Sequence, residues 1–300
     1  MTVRVAARIT LRFGEWRAAV APSVGGAIVD LSHRGRAILR PTPDEAVERR
    51  EVRRTGCYPL VPYANRIALG CFRVDGREYR LRRNFPDGAH PLHGVGWQRA
   101  WQITDVGETR CELRLEHRPT GANALDWPFA FDGVQRVEIG PQGLRVELQA
   151  TNLEGFAVPL GLGWHPLFPR RDGQRLWFAA DGWWRNGDDA LPLEAMPGLP
   201  WDADRGLVVG ERSLDNDFFG WRGEARLIEP DGLDVRIAAT APLSVLRVFV
   251  PAGRDFLGVE PVSHVADAIN RPGLQAGRIA FAAPGERVGA SFAIGVESRA

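Results

Sequence analysis

Leu144, Val146, Leu148 and Ala150 alternate with Arg145, Glu147 and Gln149. A period of two fits a strand with one face on a core and the other in water. Just upstream, Gly140-Pro141-Gln142-Gly143 supplies turn residues with permissive or preset φ, so Val134 to Ile139 is expected to pair back as a hairpin. The pattern recurs: Phe72-Arg73-Val74 and Tyr79-Arg80-Leu81 flank Asp75-Gly76, and Leu227-Ile228 and Val235-Arg236-Ile237 flank Pro230-Asp231-Gly232. Cys111, Leu113 and Leu115 alternate with Glu112, Arg114 and Glu116 in a further strand. Strand signals far outnumber helical ones, and the expected class is all-β.

Gly and Pro are spread along the chain, without a linker, low-complexity tract or fixed-period repeat. One domain over residues 1–300 is the economical reading, and a chain of this length with 44% hydrophobic residues can bury about three quarters of its unfolded surface. The expected helical or irregular stretch is Pro41 to Arg54, whose mixed Asp, Glu and Arg residues read as a solvated face. Basic residues number 38 against 37 acids, which leaves no footprint for nucleic acid or an anionic membrane. Cys57, Cys71 and Cys111 are odd in number and lack zinc or redox spacing, so they read as reduced thiols in a cytoplasmic protein. The N-terminus is charged where a signal peptide needs an apolar run, and no segment approaches the ~20 apolar residues of a membrane span.

Imidazole is the side chain most readily tuned to exchange a proton near neutrality. His33 and His117 lie in polar contexts and are expected at the surface. His165 follows Gly161-Leu162-Gly163-Trp164 and precedes Pro166-Leu167-Phe168, so it either satisfies a hydrogen bond in the core or faces a pocket that the glycines let a ligand approach. His90 and His93 have metal-like spacing, but Pro91 and Gly94 argue for a loop, and no metal is expected. Glu260 ends the apolar run Phe256-Leu257-Gly258-Val259. It is either a base strengthened by burial or a strand-end charge paired to an arginine. Arg66 is similarly open to a functional or a structural reading: turn formers and an aromatic, Pro62-Tyr63-Ala64-Asn65, precede it, whereas most of the chain's arginines stand beside other charges.

Taken together, these blocks resemble the aldose 1-epimerase family, the galactose mutarotases, along most of the chain. The resemblance rests on five segments in family order: Tyr58 to Ile67 with its Asn65-Arg66 pair; His90-Pro91-Leu92-His93-Gly94; Thr151-Asn152 with Pro159 to Phe168; Leu214-Asp215-Asn216-Asp217-Phe218; and Val259-Glu260-Pro261. It implies a large antiparallel β-sandwich, the galactose mutarotase-like supersandwich. It also implies Glu260 as general base and His165 as general acid, with Arg66, His93 and Asp215 holding the sugar and Asn65 in support. Asp215 is preferred to Asp217 because it stands three before Phe218. His90 is left as a loop residue.

The implied activity interconverts the α and β anomers of a free monosaccharide without a cofactor, in a monomer or homodimer. Near-neutral charge suggests no phosphate clamp. Trp97, Trp164, Trp184 and Trp221 are candidates to stack on the sugar. Leu167 replaces a tyrosine common in relatives, and Val95-Gly96-Trp97 after Gly94 departs from the family loop. Alternatives are a hexose-6-phosphate 1-epimerase, a glycoside hydrolase using Asp215 and Glu260 as its carboxylate pair, and a carbohydrate-binding protein without activity.

Overall fold

The computed structural model describes residues 8–86, 88–210 and 213–299. Its strands pair antiparallel throughout and form two large sheets and three smaller ones. The larger has nine strands in the order Leu207–Val208, Arg175–Phe178, Glu224–Ile228, Leu233–Ala239, Arg287–Ser298, Gly143–Asn152, Phe131–Gly140, Arg110–His117 and Gln102–Val106. The second runs Pro192–Pro197, Gly182–Asn186, Leu214–Phe219, Val245–Val250, Phe256–Val262, Gly163–Trp164 and Pro59–Leu60, with Leu167–Pro169 also paired to Phe256–Val262. A four-stranded sheet, Ile9 to Ala37, completes the N-terminal part. Among the described residues no helix is long and apolar enough to cross a membrane.

The hairpin read from the alternation is present, with Val137 opposite Val146 and Gly140 opposite Gly143. Leu144, Val146, Leu148 and Ala150 are buried. Gly143 has φ +103°, and a Cβ there would meet the Ile294 carbonyl oxygen at 2.3 Å; only glycine fits that turn. The hairpins around Asp75-Gly76 and Pro230-Asp231-Gly232 also form. Between Pro41 and Arg54 lie a single α-turn, Asp44–Glu48, and a 3-10 turn, Val52–Arg54. His117 departs from its surface expectation: its ring is buried, with Nε2 bonded to the Trp127 carbonyl. It extends the inward row of Cys111, Leu113 and Leu115, so strand period outweighs residue polarity.

Inward side chains of the two large sheets meet in one core. Phe218 packs edge-on to Phe178 at 5.0 Å between ring centroids, and Trp164 lies 4.8 Å from Phe292. Trp164 Nε1 donates to Gln135 Oε1, and Gln135 Nε2 donates to the Gly26 carbonyl. This buried amide therefore links the two large sheets to the turn before Ala27–His33 with its polar atoms satisfied, which removes the usual cost of burying it. Trp164→Ala is expected to cost about 3–5 kcal/mol in urea unfolding; His165 is the next residue, so its placement should suffer too.

Candidate active site

Asp217, Arg247 and Glu260 stand directly opposite one another across three strands of the second sheet, and Asp215, Phe249 and Gly258 form the next row. Side chains alternate between faces. Both rows therefore share one face, while Phe218, Leu246, Val248, Leu257 and Val259 point into the core and are fully buried. His165 joins the open face by the same rule, because Trp164 before it points inward. Its backbone N–H donates to the Tyr58 carbonyl, and the Tyr58 ring stacks on the imidazole at 4.7 Å. A Cβ on Gly258 would lie 3.1 Å from Glu260 Oε1 and 3.5 Å from His165 Cε1, so the bare glycine leaves room for both groups.

Arg247 is the charge at the centre. Its Nη1 donates to Asp217 Oδ1 at 2.9 Å and its Nη2 to Asp215 Oδ1 at 2.5 Å. Burial works against its charge, but Asp215, Asp217 and Glu260 together overcome this and hold its pKa above the arginine value. Asp217 is itself buried, and its other oxygen accepts the Ala266 N–H at 2.7 Å.

His165 Nε2 lies 3.2 Å from Glu260 Oε1. Burial and then the Arg247 charge push the imidazole down to about 3. Burial pushes the Glu260 carboxyl well above the usual carboxylate range, with Arg247 opposing and Asp215 and Asp217 reinforcing. Burial therefore disfavours the charged form of each partner, the carboxylate and the imidazolium alike.

The facing wall is loop. Asn65 and His93 both have positive φ, 60° and 59°, and they lock each other: the His93 N–H donates to the Asn65 carbonyl, and the Asn65 N–H donates to His93 Nδ1 at 3.0 Å. An accepting Nδ1 leaves the His93 proton on Nε2, so the ring is a neutral donor. Burial, then His165 and Arg247, depress its pKa well below the usual value. Arg66 Nη1 donates to Asn65 Oδ1 at 3.1 Å and stands 3.6 Å from Asp215 Oδ2.

Side chains hold several of the N–H groups of this loop. Ala64 N–H is accepted by His264 Nε2, Ala68 N–H by Asp267 Oδ1 and Leu69 N–H by His90 Nδ1. His264 and Asp267 follow Glu260 closely in the chain, so the segment that carries the carboxylate also holds the loop that carries Arg66.

The cavity between these walls has a volume of about 1040 Å³, and Asn65, Arg66, His93, His165, Asp215 and Glu260 all line it. His90 does not join them; its ring ties the loop by accepting the Leu69 N–H at Nδ1. Asp215 reaches the cavity while Asp217 anchors Arg247 beneath it. Trp97 lines the cavity, whereas Trp164 is in the core and Trp184 and Trp221 lie off the cavity wall. The charged side chains between Pro41 and Arg54 are mostly exposed, as expected of a solvated face, and Arg50 to Arg54 also border the cavity. Arg247 and His264 escaped the sequence reading. Arg247 had a signal, as the lone polar residue in the apolar run Val245 to Val250, and His264 a weaker one, beside Ser263 between Val262 and Val265.

A family model of aldose 1-epimerases matches residues 7–294. The chain belongs to the aldose 1-epimerase family. The uncharacterized protein YphB of Escherichia coli K12 is 32% identical over 283 residues, 91% of this chain and 93% of that protein. A crystal structure of a candidate aldose 1-epimerase from Escherichia coli K12 matches 98% of this chain and 99% of its own, with 30% identity and a TM-score of 0.87. A galactose mutarotase-like protein from Clostridium acetobutylicum shares the fold, with a TM-score of 0.85 at 18% identity over 97% of this chain and 95% of its own. The fold is thus the galactose mutarotase-like β-sandwich.

In this member of the aldose 1-epimerase family, Arg247→Met leaves Asp217 buried without its cation. Urea unfolding should show a loss of about 3–5 kcal/mol, and an unchanged midpoint would refute the central place given to Arg247.

Proposed function

We propose that the protein is an aldose 1-epimerase that opens and recloses the ring of a monosaccharide by acid–base catalysis on the His165–Glu260 pair. The observation that carries the reading is this pair, 3.2 Å apart on the face of a polar cavity. Glu260 Oε2 and Asn65 Nδ2 are buried there without a partner among the described residues. Unpaired buried polar atoms cost ~1–3 kcal/mol each, so the site suits a ligand rich in hydroxyl groups. His93 Nε2–H and Arg66 supply donors, and Asp215 supplies an acceptor backed by Arg247.

Ring opening removes the proton of the anomeric hydroxyl, breaks the bond from C1 to the ring oxygen and protonates that oxygen. Glu260 as carboxylate takes the first proton, and His165 as imidazolium gives the second. The neutral pair is a tautomer of this reactive ion pair, one proton transfer away. Burial makes Glu260 a stronger base and the protonated His165 a stronger acid than their surface counterparts. After rotation about C1–C2, the same groups acting in reverse close the ring on the opposite face, and no redox step or net proton change occurs. Asp215 faces two guanidinium groups, Arg66 and Arg247.

Polarimetry of freshly dissolved α-glucose or α-galactose tests the reading: equilibration should accelerate, and Glu260→Gln or His165→Asn should each lose ~10²–10⁴-fold. No acceleration with any aldose would refute it. The pH dependence follows from the proton count. The active pair carries one proton, gains a second only as pH falls towards about 3 at His165, and loses its only one as pH rises through the elevated Glu260 value. The kcat/KM profile should therefore show no acid limb at 6.5, the ordinary imidazole value, and a basic limb well above 4.5.

A further inference from the structure

Among the described residues the cavity is lined by seven arginines against three carboxylates, in a chain whose net charge is +1. Three of the seven are matched: Arg247 and Arg66 face Asp215, and Arg54 pairs with Glu45 and Glu51. Arg40, Arg50, Arg53 and Arg254 have no carboxylate within 4.0 Å among the described residues.

Arg40 is the most telling of these. It is largely buried, its guanidinium lies 4.3 Å over the Phe256 ring, its Nη2 donates to the Arg53 and Thr55 carbonyls, and its Nε is buried without a partner. Burial depresses its pKa, and Asp255 acts on it only from beyond ion-pair range. A cation this desolvated ordinarily has a counter-charge. Arg53 joins it through that carbonyl and lies over Phe85 at 4.4 Å. Arg254 stands two residues before Phe256.

Register places this group relative to the chemistry. Phe256, Gly258 and Glu260 alternate onto one face, and four residues of strand span ~13 Å. A sugar whose anomeric carbon meets Glu260 and His165 lies over the bare Gly258. Its far end then points towards Phe256 and the unmatched arginines. Guanidinium forks fit phosphate, sulfate and carboxylate oxygens bidentately.

Resting on the acid–base reading of the His165–Glu260 pair, we propose that the preferred substrate is an aldose with an anionic group remote from C1, held by Arg40, Arg53 and Arg254. The near-neutral chain charge conceals this, because opposite charges pair on the surface and arginines gather in the cavity.

Affinity and turnover test the two layers separately. Glucose and galactose, their 6-phosphates and their uronates are titrated calorimetrically at low salt, and anomer exchange is followed on the same sugars by NMR. An anionic sugar should bind at least ~10-fold more tightly than its neutral parent, equivalent to ~1.4 kcal/mol. That advantage should shrink with added salt and disappear in Arg40→Gln and in the double variant Arg53→Gln, Arg254→Gln. Phosphate against carboxylate in these arms identifies the group. Equal affinity for neutral and anionic sugars, including no binding of either, overturns the proposal, as does an advantage that survives both variants. Preference without anomer exchange keeps the anion site and refutes the epimerase reading, whereas exchange without preference does the reverse.

Discussion

A single buried cation, Arg247, holds the site together. Its side chain is only 4% exposed, and a guanidinium so far from water persists only when carboxylates and hydrogen bonds replace its hydration. Asp215 and Asp217 do so from the neighbouring strand, and Glu260 stands opposite on the other side. The same charge lowers the affinity of His165 for a proton and opposes the rise at Glu260. Stability and proton chemistry therefore share one residue.

The histidines around the cavity divide by what their rings hold. His90, His93 and His264 each accept a backbone N–H from residues 64–69, a loop that lacks ladder partners for these donors. To accept, each ring must be neutral, and burial keeps His93 and His264 so. His165 binds no backbone N–H through its ring; its Nε2 faces a carboxylate instead. Three imidazoles thus act as fixed acceptors, and the fourth is left able to exchange a proton.

Local alternation made the hairpins legible, since Gly140 to Gly143 and Asp75-Gly76 sit between runs of period two and both turns form. Strand order was not legible. Leu233–Ala239 and Gly143–Asn152 both pair with Arg287–Ser298, far away in the chain, and no local pattern encodes such neighbours. The six expected site residues converge on one cavity because each is a polar residue in an apolar or turn context, where burial demands a reason. Arg247 satisfied the same criterion in Val245-Leu246-Arg247-Val248, and its role emerges only from register, which sets it between Asp217 and Glu260. His117 shows the opposite error. Its polar neighbours suggested the surface, but they are the outward half of an alternating strand.

Composition averages over positions that electrostatics keeps apart. Surface arginines such as Arg136 and Arg236 meet Glu112 and Glu224 across adjacent strands, which consumes carboxylates where water already screens them. In the cavity, low-dielectric walls and limited solvent strengthen any charge left unmatched. A balance of 38 basic to 37 acidic residues therefore says little about the potential a ligand meets. Among the described residues, Arg40 and Arg53 are drawn together by a backbone carbonyl and by the rings of Phe256 and Phe85, not by any carboxylate. Carbonyls and aromatic faces can orient a guanidinium without neutralising it, which leaves its charge available to a ligand.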